Sequence, residues 1–286
     1  MSRTKTLSSF AVLAFVISLF AIPLYSGEPA ISTDDLVAKH LDAIGSKDAR
    51  AAAKTRAVQG TATYRILVGG GGTLEGKTGI VSDGRKVRFM MKFTNDYRGE
   101  TFVSNGEKAQ IFFSNTNQSL SPVAGFVSAY DVIVRDGLIG GVLSTNWALT
   151  NLSERNAKLA FEGLKKEDGK QLYRVRYEPS KRVDLQIFLY FEQDTFRHVK
   201  TVYDLQIGNN VGRTIVESAN LQPERSRLEE RFSDFKTVDG LTLPTHWNLQ
   251  FSREKSNGST TLSEWDLKED QITNNVGLDA RNFEVK

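Results

Sequence analysis

Residues 68–84 read VGGGGTLEGKTGIVSDG, and the fold turns on how that stretch is taken. From Gly71 the letters spell Gly-x-x-x-x-Gly-Lys-Thr, closing on Gly76, Lys77 and Thr78, the phosphate-loop pattern of nucleotide-binding proteins. A working phosphate loop joins a strand to a helix whose first backbone amides face the phosphates. Here TATYRILV (61–68) alternates as a strand should, but no helix follows. Gly79 comes directly after Thr78, three residues then reach Asp83-Gly84, and KVRFMMKF (86–93) alternates again. Gly69 to Gly72 therefore reads as a hairpin loop, and no nucleotide is expected.

The same grammar extends in both directions. KTGIVSD (77–83), RGETFVSN (98–105) and KAQIFFS (108–114) bring the first half to five strands. The second half suggests eight: AKLAFEGLKK (157–166), KQLYRVRYEP (170–179), DLQIFLYFEQ (184–193), FRHVKTVYDLQI (196–207), GRTIVESAN (212–220), SRLEERFSDFKTV (226–238), PTHWNLQFS (244–252) and TTLSEWDLK (260–268). Turn dipeptides punctuate them at Asp83-Gly84, Asn95-Asp96, Asn105-Gly106, Asp168-Gly169, Asp239-Gly240 and Asn257-Gly258. Such close spacing leaves no room for crossover helices, so an antiparallel sheet is expected throughout.

Helical periodicity is confined to three places. STDDLVAKHLDAIG has a cap at Ser32 or Thr33, acids at Asp34 and Asp35, an apolar face through Leu36, Val37, His40, Leu41 and Ile44, and a stop at Gly45. A short alanine-rich helix over Lys47 to Arg56 follows. Residues 121–149 interrupt the strands, with Phe126, Val127, Tyr130, Ile133 and Val134 at helical spacing and glycines at 137, 140 and 141. That segment is either a plug in the core or a flap over a cavity.

At the N-terminus, Arg3 and Lys5 precede an apolar run from Phe10 to Ile22, then Pro23, Ser26 and Gly27. This is the order of a secretory signal peptide, here taken as residues 1–26, with an uncleaved anchor as the alternative. Without it the formal charge falls from +3 to +1, which gives no electrostatic case for nucleic acid. The absence of cysteine excludes disulfides, thiolate metal sites and an acylated lipobox cysteine. Residues 27–286 are long enough to hold together through a core.

The sequence carries no Gly-x-Ser-x-Gly elbow, no His-Glu-x-x-His pair and no cysteine nucleophile, so neither an enzyme nor a metal or cofactor site is expected. His40 reads as a packed helix residue. His246 falls on the polar face of its strand with Asn248, Gln250 and Ser252. Strict alternation puts His198 with Lys200, opposite Val199, Thr201 and Tyr203. The apolar faces are heavier than one solvated side explains: Val87, Phe89 and Met91; Leu185, Ile187 and Leu189, with Phe188 and Tyr190 opposite; Trp247, Leu249 and Phe251. A long curved sheet with few helices leaves a hollow on its concave side, and an apolar hollow suits an acyl chain.

This layout resembles the LolA/LolB-like family of periplasmic outer-membrane lipoprotein-sorting proteins. The resemblance rests on the signal peptide, the run AIGSKDARAAAKTRAVQGTATYRI (43–66), a meander interrupted by apolar helices and the closing VDGLTLPTHWNLQF (238–251). It covers roughly residues 31–283. It implies a mainly β (α+β) fold, an unclosed half-barrel covered by an N-terminal helix pair (33–56) and a mid-chain helical lid (121–149). It also implies a non-enzymatic carrier of lipid or lipoprotein acyl chains. The expected lining is Val87, Phe89, Met91, Phe126, Tyr130, Ile133, Leu185, Ile187, Leu189, Trp247, Leu249 and Phe251. Relatives that use the fold as periplasmic sensors make a membrane-anchored protein, such as an anti-sigma factor, the alternative partner. The family's lid arginine has no matching motif here, and Arg50, Arg56 and Arg135 are the alternatives.

Overall fold

A computed structural model of the chain describes residues 31–94, 99–113, 121–208 and 223–286. The signal-peptide segment, the Asn95-Asp96 turn and GRTIVESAN lie outside the described residues. Two helices, α1 (Thr33–Ile44) and α2 (Lys47–Ala52), open the described chain. Five strands follow: β1 (Thr55–Val68), β2 (Thr73–Asp83), β3 (Lys86–Phe93), β4 (Glu100–Ser104) and β5 (Ala109–Phe113). Then come α3 (Pro122–Ala129) and α4 (Val132–Arg135). Seven strands complete the sheet: β6 (Lys158–Glu167), β7 (Lys170–Glu178), β8 (Gln186–Glu192), β9 (His198–Ile207), β10 (Glu224–Val238), β11 (Leu241–Glu254) and β12 (Thr260–Asn274).

All twelve strands form one antiparallel sheet in the order β5-β4-β3-β2-β1-β12-β11-β10-β9-β8-β7-β6. Each half is a run of hairpins, and the halves join where β1 pairs β12. The two ends never meet, so the sheet is an open half-barrel, and α1, α3 and α4 pack on its strands. Among the described residues no helix is long and apolar enough to cross a membrane.

The glycine-rich stretch is the hairpin its flanks predict. β2 runs straight through Gly76, Lys77 and Thr78, paired to β1 on one side and β3 on the other. Gly76 has a local reason to be glycine: a Cβ there would overlap the Lys92 carbonyl oxygen and the Phe93 ring. The motif therefore records close strand packing. No helix N-terminus is available to a phosphate.

Two boundaries differ from the sequence reading. The second helix ends at Ala52, and β1 already begins at Thr55, five residues before the alternation becomes plain at Gly60. The alternation of β1 runs on unbroken, but the buried positions ahead of Gly60 are Arg56 and Val58, and a charged residue on the inward face hides the start of the strand. In β9 the register shifts between Tyr190 and Phe191 of its partner, leaving Val199 as the extra residue. His198 and Thr201 then both point inward, where strict alternation separates them.

The concave face is packed. Buried side chains from every strand except β5, β6 and β12's far end meet α1, α3, α4 and the loop to Leu149 in one apolar cluster that includes Trp147, Trp247, Phe89, Phe232 and Ile133. The convex side has a smaller cluster of its own, Leu172, Phe188, Tyr190 and Val202. The Arg174 guanidinium lies 3.8 Å from the Phe188 ring centroid, and the Lys200 ammonium 4.4 Å from that of Tyr190. The double-sided apolar pattern of β8 is thus explained by two cores, one on each face.

Residues 131–149 are the plug. Gly137 sits at φ +69°, where a Cβ would overlap the Asn146 carbonyl oxygen. Its own carbonyl accepts from the Ala148 amide. Gly137→Ala is expected to cost about 3 kcal/mol through backbone strain and overpacking, read as a lower urea midpoint at unchanged m-value.

Candidate functional site

The interrupting segment divides into two parts held by different forces. From Asp136 to Ala148 it is tied by buried polar contacts. Glu230 accepts from the Gly140 amide (2.8 Å) and from the Tyr203 hydroxyl (2.7 Å). Arg56 donates to the Val142 carbonyl at 2.7 Å, and Tyr177 donates to Asp136 at 2.9 Å. Arg155 donates to the carbonyls of Asn146 and Ala148. Trp147 donates its indole N–H to His40 Nε2 at 2.9 Å, which fixes the tautomer: His40 Nδ1 carries the proton and donates to the Phe196 carbonyl, also at 2.9 Å.

Burial sets the charge states in this network. It lowers the His40 pKa to about 4, so the ring stays neutral and can accept from Trp147. His198 is pushed down by burial and then by His40 nearby. The Glu230 carboxyl is raised by burial to about 7.

α3 is held otherwise. Val123, Ala124, Phe126 and Val127 are buried, and the Phe126 ring meets Phe251 at 5.4 Å between centroids. Its polar ties lie at the ends. The Ser121 hydroxyl caps the helix by accepting from Ala124 N and donates to Glu100, and Tyr130 donates to Asp184 at 2.9 Å. Apolar packing with two end ties is a looser attachment than the plug's network.

Beside the start of α3 a groove of about 540 Å³ opens at one end of the half-barrel. Tyr64 and Ile66 of β1, Leu74 of β2, Val123 of α3, Phe251 of β11 and Trp265 of β12 form its apolar wall, and Gly71 and Gly72 of the β1–β2 loop its lip. Two hydroxyls face each other within it, Tyr64 and Ser263, 3.3 Å apart. None of the described residues that line it is charged. Alternation is the reason: Tyr64 and Ser263 face inward, while their neighbours Arg65 and Glu264 pair across the convex face at 2.9 Å.

Of the twelve residues expected to line a hollow, eleven are buried: Val87, Phe89, Met91, Phe126, Ile133, Leu185, Ile187, Leu189, Trp247, Leu249 and Phe251. The twelfth, Tyr130, is half-buried. The fold brings most of them together against the plug, with Phe89 and Trp247 4.5 Å apart. Phe251 alone among the twelve reaches the groove. Tyr64, Ile66, Leu74, Val123 and Trp265 were missed. The signal for two of them was in TATYRILV, where Ala62, Tyr64 and Ile66 share a face. Of the candidate arginines, Arg56 ties the plug, Arg50 donates to the Leu41 and Gly45 carbonyls, and Arg135 pairs with Asp131.

His246 keeps its place on the polar face. It contacts Asp266 through Nε2 at 2.5 Å and Ser233 through Nδ1 at 3.0 Å, beside a polar hollow of about 730 Å³ on the convex side. Among the described residues no cluster of three or more histidine or carboxylate ligands is arranged to hold a metal.

No protein-family model matches the chain, and no curated protein sequence does. Among solved structures it is similar to a LolA superfamily protein from Nitrosomonas europaea, with 16% identity over 90% of this chain and 99% of that one, at a TM-score of 0.46. A putative outer membrane lipoprotein-sorting protein domain from Vibrio parahaemolyticus is 11% identical over 86% and 95%, at 0.47. The lipoprotein LppX of Mycobacterium tuberculosis is 11% identical over 87% and 100%, at 0.25. The LolA-type resemblance read in the sequence thus meets LolA-type names among solved structures.

Proposed function

We propose that this protein is an exported, non-enzymatic carrier that holds the acyl chain of a lipid or lipoprotein in the groove beside α3. The observation that carries this reading is the groove itself: about 540 Å³, walled by aliphatic and aromatic side chains and open at the end of the half-barrel. That volume falls in the range of small-molecule sites, roughly 300–1,000 Å³. Each methylene that enters contributes about 0.8 kcal/mol, so part of one chain gives useful affinity. The polar network fixes the plug, so the groove deepens by movement of α3, whose hold on Phe251 is apolar. In this reading Val87, Phe89, Met91 and the other buried candidates form the rigid bed beneath that movement.

The test is direct. Nile red, an uncharged dye, is expected to fluoresce on mixing with the purified protein and to be displaced by long-chain monoacylglycerol. Leu74→Trp, which fills the groove from its wall, is expected to weaken dye binding at least tenfold at an unchanged melting midpoint. A preparation that carries no extractable lipid and leaves the dye dark overturns the reading. Capture of a membrane-anchored protein in place of lipid would favour the regulatory alternative.

A further inference from the structure

We infer that the groove selects lipids whose head group is uncharged, such as an acylglycerol or an ester- or amide-linked chain, over fatty acids and alkylamines of the same length. The inference rests on the carrier reading and names the ligand class of that same site. Its basis is where the sheet puts its charges. β1, β2 and β12 supply most of the wall, and beside the groove the two-residue period sends their charged residues Arg65, Glu75 and Glu264 to the convex face. Arg65 pairs with Glu264 there, and Glu75 accepts from Thr63. The inward set on the same strands is Tyr64, Ile66, Leu74, Ser263 and Trp265. An ionised head drawn into such a wall loses water and gains no counter-charge from the described lining, which is a costly exchange.

What the wall does offer is the Tyr64–Ser263 hydroxyl pair, 3.3 Å apart. A hydroxyl both donates and accepts, so the pair can hold an ester or amide carbonyl, or the hydroxyl of a glycerol, without any net charge. The two groups sit on directly adjoining strands, with Tyr64 opposite Trp265 and Ile66 opposite Ser263 in the β1–β12 register, so strand pairing fixes their spacing. The pair marks where the polar end of the ligand sits. The aromatic wall of Trp265 and Phe251 takes the chain.

The experiment compares three amphiphiles of equal chain length against the full-length folded protein at neutral pH, each by displacement of Nile red: a monoacylglycerol, a fatty acid and an alkylamine. The monoacylglycerol is expected to bind at least tenfold more tightly than either ion. Tyr64→Phe and Ser263→Ala are each expected to weaken monoacylglycerol three- to tenfold while changing the affinity for the fatty acid and the alkylamine far less, so that its advantage over both shrinks, a loss of selectivity that a general loss of packing would not give. Equal or tighter binding of the fatty acid or the amine overturns the selectivity and leaves the carrier reading standing. Failure of all three ligands overturns both.

Discussion

Trp147→Ala is expected to lower the free energy of unfolding by about 4–5 kcal/mol, which places it among the most damaging single changes in this chain. A buried tryptophan truncated to alanine costs roughly 3–5 kcal/mol from lost transfer energy and the cavity left behind. Here the indole also provides the hydrogen bond to His40 Nε2. Its removal leaves that nitrogen buried and unpartnered, at a cost of about 1–3 kcal/mol before any relaxation. The ring also stacks on His198 at 4.6 Å between centroids. Trp147→Phe restores much of the volume but not the donor, so it should recover only part of the loss. Urea denaturation followed by circular dichroism measures both. A loss below about 2 kcal/mol for the alanine variant would mean that the plug is not anchored as described.

Glu269→Gln is expected to stabilise the protein at alkaline pH and to change little near pH 5. Glu269 is buried on β12 with no hydrogen-bond partner for either carboxyl oxygen, and burial, then the nearby Asp270 charge, raises its pKa from 4.5 to about 8. A carboxyl raised in the folded state binds its proton there while the unfolded chain has already released it. Its contribution is therefore complete below about pH 4.5 and is lost as pH rises toward about 8. The span corresponds to roughly 4–5 kcal/mol. Glu230, raised to about 7, adds to the same slope over a shorter window.

His40 works in the opposite direction. Its pKa falls from 6.5 to about 4, so the stability of its neutral form is present above pH 6.5 and lost as pH falls toward 4. Between about pH 4.5 and 6.5 the two trends oppose each other. A fairly flat optimum is expected there, with stability falling on the alkaline side. Urea midpoints at pH 5.5 and 8.5 check this. Wild type and Glu269→Gln should differ by about 1–2 kcal/mol at the lower pH and by about 4–5 kcal/mol at the higher. Parallel curves would remove Glu269 as the source.

How legible the molecule is from its sequence depends on the range of the forces involved. Hairpins are local, so period-two alternation and dipeptides such as Asp83-Gly84 placed the strands within a few residues and settled the Gly76-Lys77-Thr78 motif. Alternation also put Trp247, Leu249 and Phe251 on the inner face. It failed where a register shift intervened, the bulge at Val199 turning His198 inward, and where an inward residue is charged, as Arg56 is at the start of β1.

The site was harder to see. An inward apolar residue reads the same whether its partner is another side chain or a ligand. Val87, Ile187 and Trp247 are buried in the cluster that includes the plug, whereas Ile66, Leu74 and Trp265 border the groove. The difference depends on how far residues 121–149 reach along the sheet. That reach is set by contacts such as Arg56 to Val142 and Glu230 to Gly140, which span 86 and 90 positions of sequence.

Because the sheet stays open, β6 keeps one row of backbone groups without a partner strand among the described residues. Bare edges of this kind invite a neighbouring molecule to add a thirteenth strand, the first step toward aggregation. β6 guards against it twice over. Its ladder with β7 is broken between Phe161 and Leu164, around Gly163 at φ +86°, and Lys158, Lys165 and Lys166 stand exposed along it. A kinked strand studded with ammonium groups repels a copy of itself, which works against edge-to-edge pairing of the unclosed barrel along β6.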